Sequence, residues 1–148
     1  WRRPLLVDQG LTLAAFDLKA HGLAPVGHFA LGLSRQKARY GRALAQAGLD
    51  YAALHALPDE AVISQLTQVP GIGRWTAEIY AMFSLGRADV FAANDLALQE
   101  GARVLFGLED RPSEKALRVM AEAWSPWRSV AARILWAYYR VAKEREGI

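Results

Sequence analysis

The stretch VPGIGRWTAEIY, Val69 to Tyr80, places one proline and two glycines within four residues and then runs into an apolar pattern of helical period. Pro70 fixes φ and gives up a donor, whereas Gly71 and Gly73 allow backbone conformations closed to other residues. A helix starting directly behind such a turn gathers backbone N–H groups at its positive end, where they can hold a phosphate oxygen without any side-chain charge. The same four residues also suit a plain turn between helices that needs glycine, and on PGIG alone the two readings weigh about equally. Twenty residues beyond Trp75 stands Asp95, at the start of the helix-like run NDLALQEGARVLFG. A carboxylate there is stabilised by the helix's positive end. In an arbitrary helix it would only complement the dipole beside an Asn94 cap. In a site it is an anion available to a reaction that builds positive charge.

The remaining chemical inventory is narrow. There is no Cys, which excludes disulfides, thiolate-held zinc or iron–sulfur clusters and cysteine catalysis within this chain. The three His, at 21, 28 and 55, have no metal-ligand spacing and read as ordinary surface residues. At 148 residues the chain is expected to form a single domain, 1–148, with one core and therefore one site. Fifty-three per cent hydrophobic content with five each of Trp, Tyr and Phe marks a globular protein. The apolar runs are too short to cross a bilayer and nothing resembles a signal peptide, so a soluble intracellular protein is expected. A net charge of +3 and a pI near 9.4 permit a polyanionic partner without requiring one. The chain begins at Trp1, and its true start is expected to lie upstream.

The elements that must position these groups are helices. Nearly every segment has the helical period and none alternates as a half-buried strand would, so the expected fold class is all-α. Arg35 to Ala47 is a basic amphipathic helix ending at Gly48. Asp59 and Glu60 open the next helix, whose buried face is Val62, Leu66 and Val69. Behind the turn, Trp75, Ile79, Met82 and Phe83 repeat at helical spacing up to Gly86. After a short loop with Asp89 and Phe91, Asn94 is expected to cap a helix with Leu98, Ala102 and Leu105 inside. Ser113 caps a helix toward Trp124, and Ser125 with Pro126 is expected to start the last one, PWRSVAARILWAYYRVAKERE. That helix is apolar on nearly all sides until its charged end, which predicts a central core helix.

LTQVPGIGRWTA, Leu66 to Ala77, resembles the helix–hairpin–helix motif of the DNA glycosylase superfamily. DVFAANDLALQ and WSPWRSVAARILWAYYR are similar to the 3-methyladenine DNA glycosylase II family, and the resemblance runs from about Leu33 to the C-terminus. It implies a monofunctional, helix–hairpin–helix DNA glycosylase that flips alkylated purines out of double-stranded DNA and hydrolyses the N-glycosidic bond in base excision repair. Asp95 falls at the family's catalytic aspartate. Trp75, Tyr80 and Trp136 would line the pocket for the flipped base, whereas Trp124 and Trp127 read as core. Gly71, Ile72, Gly73, Arg74 and Thr76 would grip the DNA backbone, and the carbonyls of Thr67, Val69 and Ile72 would hold a structural Na or K ion. Relatives that also cut the strand carry a hairpin lysine; here Trp75 occupies that position, and no lysine lies between Lys37 and Lys115. The resemblance further implies a monomer with no required cofactor, cytoplasmic and nucleoid-associated in a bacterium.

The front of the chain departs from the pattern. LLVDQGLTLAAF is similar to an early family helix, but Gly10 stands for a glutamine and Thr12 for a serine. Between Phe16 and Leu33 the chain is shorter than relatives that carry a loop to plug the gap left by the flipped base, and their separate β-rich domain has no counterpart in this sequence. Two rival readings follow: a non-catalytic helix–hairpin–helix module that only binds DNA, and a glycosylase for a deaminated or oxidised base.

Overall fold

The computed structural model describes residues 34–146. The early helix expected between Leu5 and Phe16, and His21 and His28, lie outside the described residues. Every regular element among the described residues is helical, as the periodicity predicts. The described residues divide into two compact units, one up to Gly73 and one from Arg74.

In the first unit, α1 (Arg35–Gln46) is capped by Ser34, whose hydroxyl accepts the Lys37 amide, and ends just before Gly48. A single helical turn, α2 (Tyr51–Leu54), is capped by Asp50. α3 (Asp59–Thr67) begins acidic end first behind Pro58 and buries Val62, Ile63 and Leu66, with Val69 buried just beyond it. The expected inner face of this helix is the observed one. Leu54 completes the apolar cluster.

In the second unit, α4 (Arg74–Phe83) turns Ala77, Glu78, Ala81 and Met82 inward. Of the residues that repeat at helical spacing here, Met82 is buried, whereas Trp75 and Phe83 are 42% and 43% exposed. A buried glutamate takes an inner position because two guanidiniums neutralise it, and apolar periodicity does not register such a residue. α5 (Leu96–Phe106) buries Leu98, Gln99, Gly101 and Ala102 and leaves Leu105 largely exposed. At Gly101 it meets the last helix so closely that a Cβ would lie 3.2 Å from both the Leu135 carbonyl oxygen and Tyr139 Cβ. α6 (Glu114–Met120), capped by Ser113 as expected, runs into a 3₁₀ turn, Ala121–Trp124.

The last helix, α7 (Arg128–Glu146), starts two residues later than expected, because the Ser125 hydroxyl and the Arg128 amide both turn to the carboxylate of Asp89 instead of making a serine cap. It buries a narrow stripe, Ser129, Ala132, Leu135 and Ala142, with Val130, Ile134 and Val141 exposed, so it is not the all-round core helix of the sequence reading. Trp124 is a packing residue, set between Phe91 and Phe106 with ring centroids 5.4 and 6.2 Å away. Trp127, also read as core, is 62% exposed in the turn before α7. No described helix is long and apolar enough to cross a membrane.

Candidate active site

Asp95, and not Asn94, caps α5. Its Oδ1 accepts the backbone amides of Ala97 and Leu98, each at 3.0 Å. The cap consumes only part of the carboxylate. Oδ1 also accepts the indole N–H of Trp136 at 3.0 Å, and Oδ2 accepts the indole N–H of Trp75 at 3.0 Å. Two tryptophans from helices twenty and forty-one residues away thus converge on one carboxylate. A helix cap alone requires neither of them. With three donors on Oδ1 and one on Oδ2, the oxygen with room for a further partner is Oδ2.

Each element is held for this purpose by its own chemistry. Trp136 packs against Phe83 at 5.7 Å, and the Arg133 guanidinium lies 4.9 Å over the Phe83 ring. Phe83, which the sequence marks only as part of a helical repeat, thus packs beside Trp136; its position about two turns beyond Trp75 is the only local signal for it. Tyr80 is half-buried and, five residues on from Trp75, lies about 140° around the axis of α4. Trp136 also lines an open groove of ≈ 550 Å³ with Ala97, Tyr139, Arg140, Lys143 and Glu144.

The loop that delivers Asp95 is tied down along its length. The Ser129 amide donates to the Ala88 carbonyl at 2.9 Å, while the Ser129 hydroxyl takes the Val90 amide and donates to the Val90 carbonyl. Gln99 donates its side-chain amide to the Ala93 carbonyl at 2.9 Å. Asp89 receives Arg128 at 2.7 and 2.8 Å. The Arg128 guanidinium, assisted by Ser125, pulls the Asp89 carboxyl down to about 2. Because this folded value lies below that of an unfolded aspartate, the pair's stabilisation is complete above about pH 4 and is lost as pH falls through about 2.

Behind the loop, Arg118 donates to Glu78 Oε1 at 2.9 Å, to Glu114 at 2.9 Å and to the Phe91 carbonyl at 3.4 Å. Arg74 also donates to Glu78 Oε1, at 2.9 Å, which commits one guanidinium nitrogen of this backbone-binding candidate to its own helix. Burial of Glu78 pushes its carboxyl above the ordinary range, with the two arginines opposing the rise. None of this network was legible as a site.

The hairpin residues separate into two kinds. Gly71 has φ +94° and a Cβ there would overlap the ring of Tyr40, so its own fold demands glycine. The Ile72 amide closes the turn onto the Val69 carbonyl at 3.0 Å. Gly73 differs: its φ is not in the left-handed region and nothing lies within 4 Å of a Cβ placed there. Among the described residues no contact explains that second glycine. Thr76 is exposed in the first turn of α4. Thr67 ends α3 and Val69 lies just beyond it; the helix dipole is negative there, and a carbonyl such as that of Val69, which already accepts the Ile72 amide, has a second lone pair, a donor chemistry that fits a monovalent cation.

No family model matches the chain. YfjP of Bacillus subtilis (strain 168), named as a DNA-3-methyladenine glycosylase, is 34% identical over 110 residues, covering 72% of this chain and 38% of YfjP. The crystal structure of a DNA-3-methyladenine glycosidase from Bacillus halodurans is similar with a TM-score of 0.77 and 34% identity, over 88% of this chain and 61% of that one. The Schizosaccharomyces pombe 3-methyladenine DNA glycosylase Mag1, solved in complex with abasic DNA, gives a TM-score of 0.65 and 30% identity over 86% of this chain and 69% of its own. The chain therefore spans 38% of its B. subtilis relative and 61% of the B. halodurans structure. On this identity, coverage and shared helical fold, the chain belongs to the 3-methyladenine DNA glycosylase family of the helix–hairpin–helix superfamily.

Proposed function

We propose that this chain is the catalytic part of a monofunctional DNA glycosylase that removes alkylated purines from double-stranded DNA. The observation that carries the reading is the Asp95 carboxylate, held by two indole N–H groups and two amides with Oδ2 left able to meet a further partner. As the C1′–N bond breaks, its electron pair leaves with the base, and the sugar acquires oxocarbenium character that the anion at Oδ2 stabilises. Water then adds to C1′ and passes its proton to the surrounding solvent. A purine methylated on a ring nitrogen already carries positive charge, so it departs neutral and needs no protein acid. Before departure, the same charge attracts it to aromatic faces, for which Trp75, Trp136 and Phe83 are placed.

The hairpin is read as a sequence-blind grip on DNA phosphate, with Gly73 kept small for a group outside the protein. Thr67, Val69 and Ile72 would hold a Na or K ion that neutralises the carbonyl end of α3. The enzyme works as a monomer without a cofactor. A purely DNA-binding module would explain the hairpin and leave the two-indole clamp on Asp95 without a role.

With no lysine between Lys37 and Lys115, no Schiff base with the sugar forms. Alkylated duplex treated with the protein should therefore break only after alkali, and borohydride should trap no protein–DNA adduct. A trapped adduct would contradict the hydrolytic reading. The two hairpin glycines should also respond differently. Gly71→Ala should lower stability by on the order of 1–3 kcal/mol, through a left-handed φ and the Tyr40 overlap. Gly73→Val should fold normally and bind duplex DNA more weakly. Unchanged affinity in Gly73→Val would reduce the hairpin to a turn.

A further inference from the structure

Tyr40 is placed for more than packing. The Cγ and Cδ atoms of its ring sit on Gly71, where a Cβ would overlap them, so α1 packs this side chain directly against the hairpin turn. Gln36 Nε2 donates to that hydroxyl oxygen at 2.8 Å. The phenol has one hydrogen of its own, and with an acceptor site already filled by Gln36 that hydrogen is available to an acceptor outside the protein. The Arg39 guanidinium carbon lies 5.4 Å from the centre of the same ring. Hydrogen bonding from Gln36, and then from Arg39, holds the Tyr40 hydroxyl below its ordinary value, which makes it a stronger donor toward an anion. Around this pair, α1 reads RQKARYGRALAQ: four basic residues and no acidic one.

We propose that Tyr40 and Arg39 form a second backbone-phosphate contact beside the hairpin, so that one DNA strand is held by the turn and by α1 together. This rests on the reading of the hairpin as a phosphate grip. It adds what that reading does not contain, a side-chain donor and an exposed cation from a different helix. A tyrosine that served only as a lid over Gly71 would need its ring and not its hydroxyl. An arginine that served only to cover that ring would leave the salt dependence of binding unchanged.

The test is fluorescence anisotropy with a labelled, undamaged duplex over a salt series, using wild-type protein, Tyr40→Phe and Arg39→Gln, with thermal melting as the control for fold. Tyr40→Phe keeps the ring over Gly71 and should lose about three- to tenfold in affinity at unchanged melting temperature and salt slope, the effect of one hydrogen bond to a charged group. Arg39→Gln should reduce the slope of log affinity against log salt by about one, the signature of one lost cation–phosphate contact. Wild-type affinity and slope in both variants would overturn the proposal and leave the hairpin reading intact. Absence of salt-dependent binding by the wild-type protein would overturn both.

Discussion

Asp95→Asn should cut excision from alkylated duplex DNA by roughly a hundred- to a thousandfold while leaving duplex binding in place. The amide keeps an oxygen that can still accept the Ala97 and Leu98 amides and the Trp136 indole, so the α5 cap survives. Its NH₂ then takes the Oδ2 position, where it faces the Trp75 indole donor without an acceptor between them. The negative charge that would meet a developing oxocarbenium is gone. A lost hydrogen bond of this kind costs on the order of 1 kcal/mol, a small change in melting temperature beside the loss of rate. DNA affinity should hold or rise, because an anion near a polyanion can only repel it. Wild-type turnover with a modestly lowered melting temperature would mean that Asp95 is a cap and the charge resides elsewhere.

Arg118→Ala should be the most destabilising simple truncation at this site. It removes one of two cations from Glu78, which is 1% exposed, and at the same stroke the donor to the Phe91 carbonyl that steadies the loop before Asp95. Glu78 Oε2 is already buried without a hydrogen-bond partner, so the remaining Arg74 contact at Oε1 must carry the whole charge. Uncompensated buried charges cost about 3–5 kcal/mol, and the one-third exposure of Arg118 reduces the expected loss to about 2–3 kcal/mol, on the order of 10 °C in melting temperature. The loss should shrink in acid. Burial raises the Glu78 carboxyl, so the folded state binds its proton more tightly than the unfolded one, and stability falls as pH rises through that raised value. A second change, Glu78→Gln, should restore part of the stability of Arg118→Ala by removing the stranded charge. Melting of Arg118→Ala within about a degree of wild type would show that Arg74 alone is sufficient for Glu78.

The parts legible in the sequence were those written in local pattern. The α3 face through Val62, Leu66 and Val69, the Ser113 cap and the hairpin all follow from spacing and turn chemistry. Asp95, Trp75 and Trp136 were found by resemblance, and the structure brings all three together. What was not legible depended on pairing between distant residues. Nothing in local pattern marks Glu78 as buried, because its burial depends on Arg118, forty residues on, taking its charge. Ser125 reads as a cap until Asp89, thirty-six residues earlier, takes its hydroxyl. The cap of α5 moved from Asn94 to Asp95 because either residue type can cap, and propensity does not choose between neighbours. Trp127 was misplaced for a related reason: an aromatic near a helix start can face the core or solvent, and residue type does not distinguish the two.

The most direct test of the account is chromatography of what the wild-type protein releases, under single-turnover conditions, from a duplex containing N-methylated purines and from the same duplex undamaged. Free methylated purine should appear, with an unbroken abasic strand and no release from the undamaged duplex. Tight, salt-dependent binding to both duplexes with no base released from either would contradict it and leave a helix–hairpin–helix protein that only holds DNA.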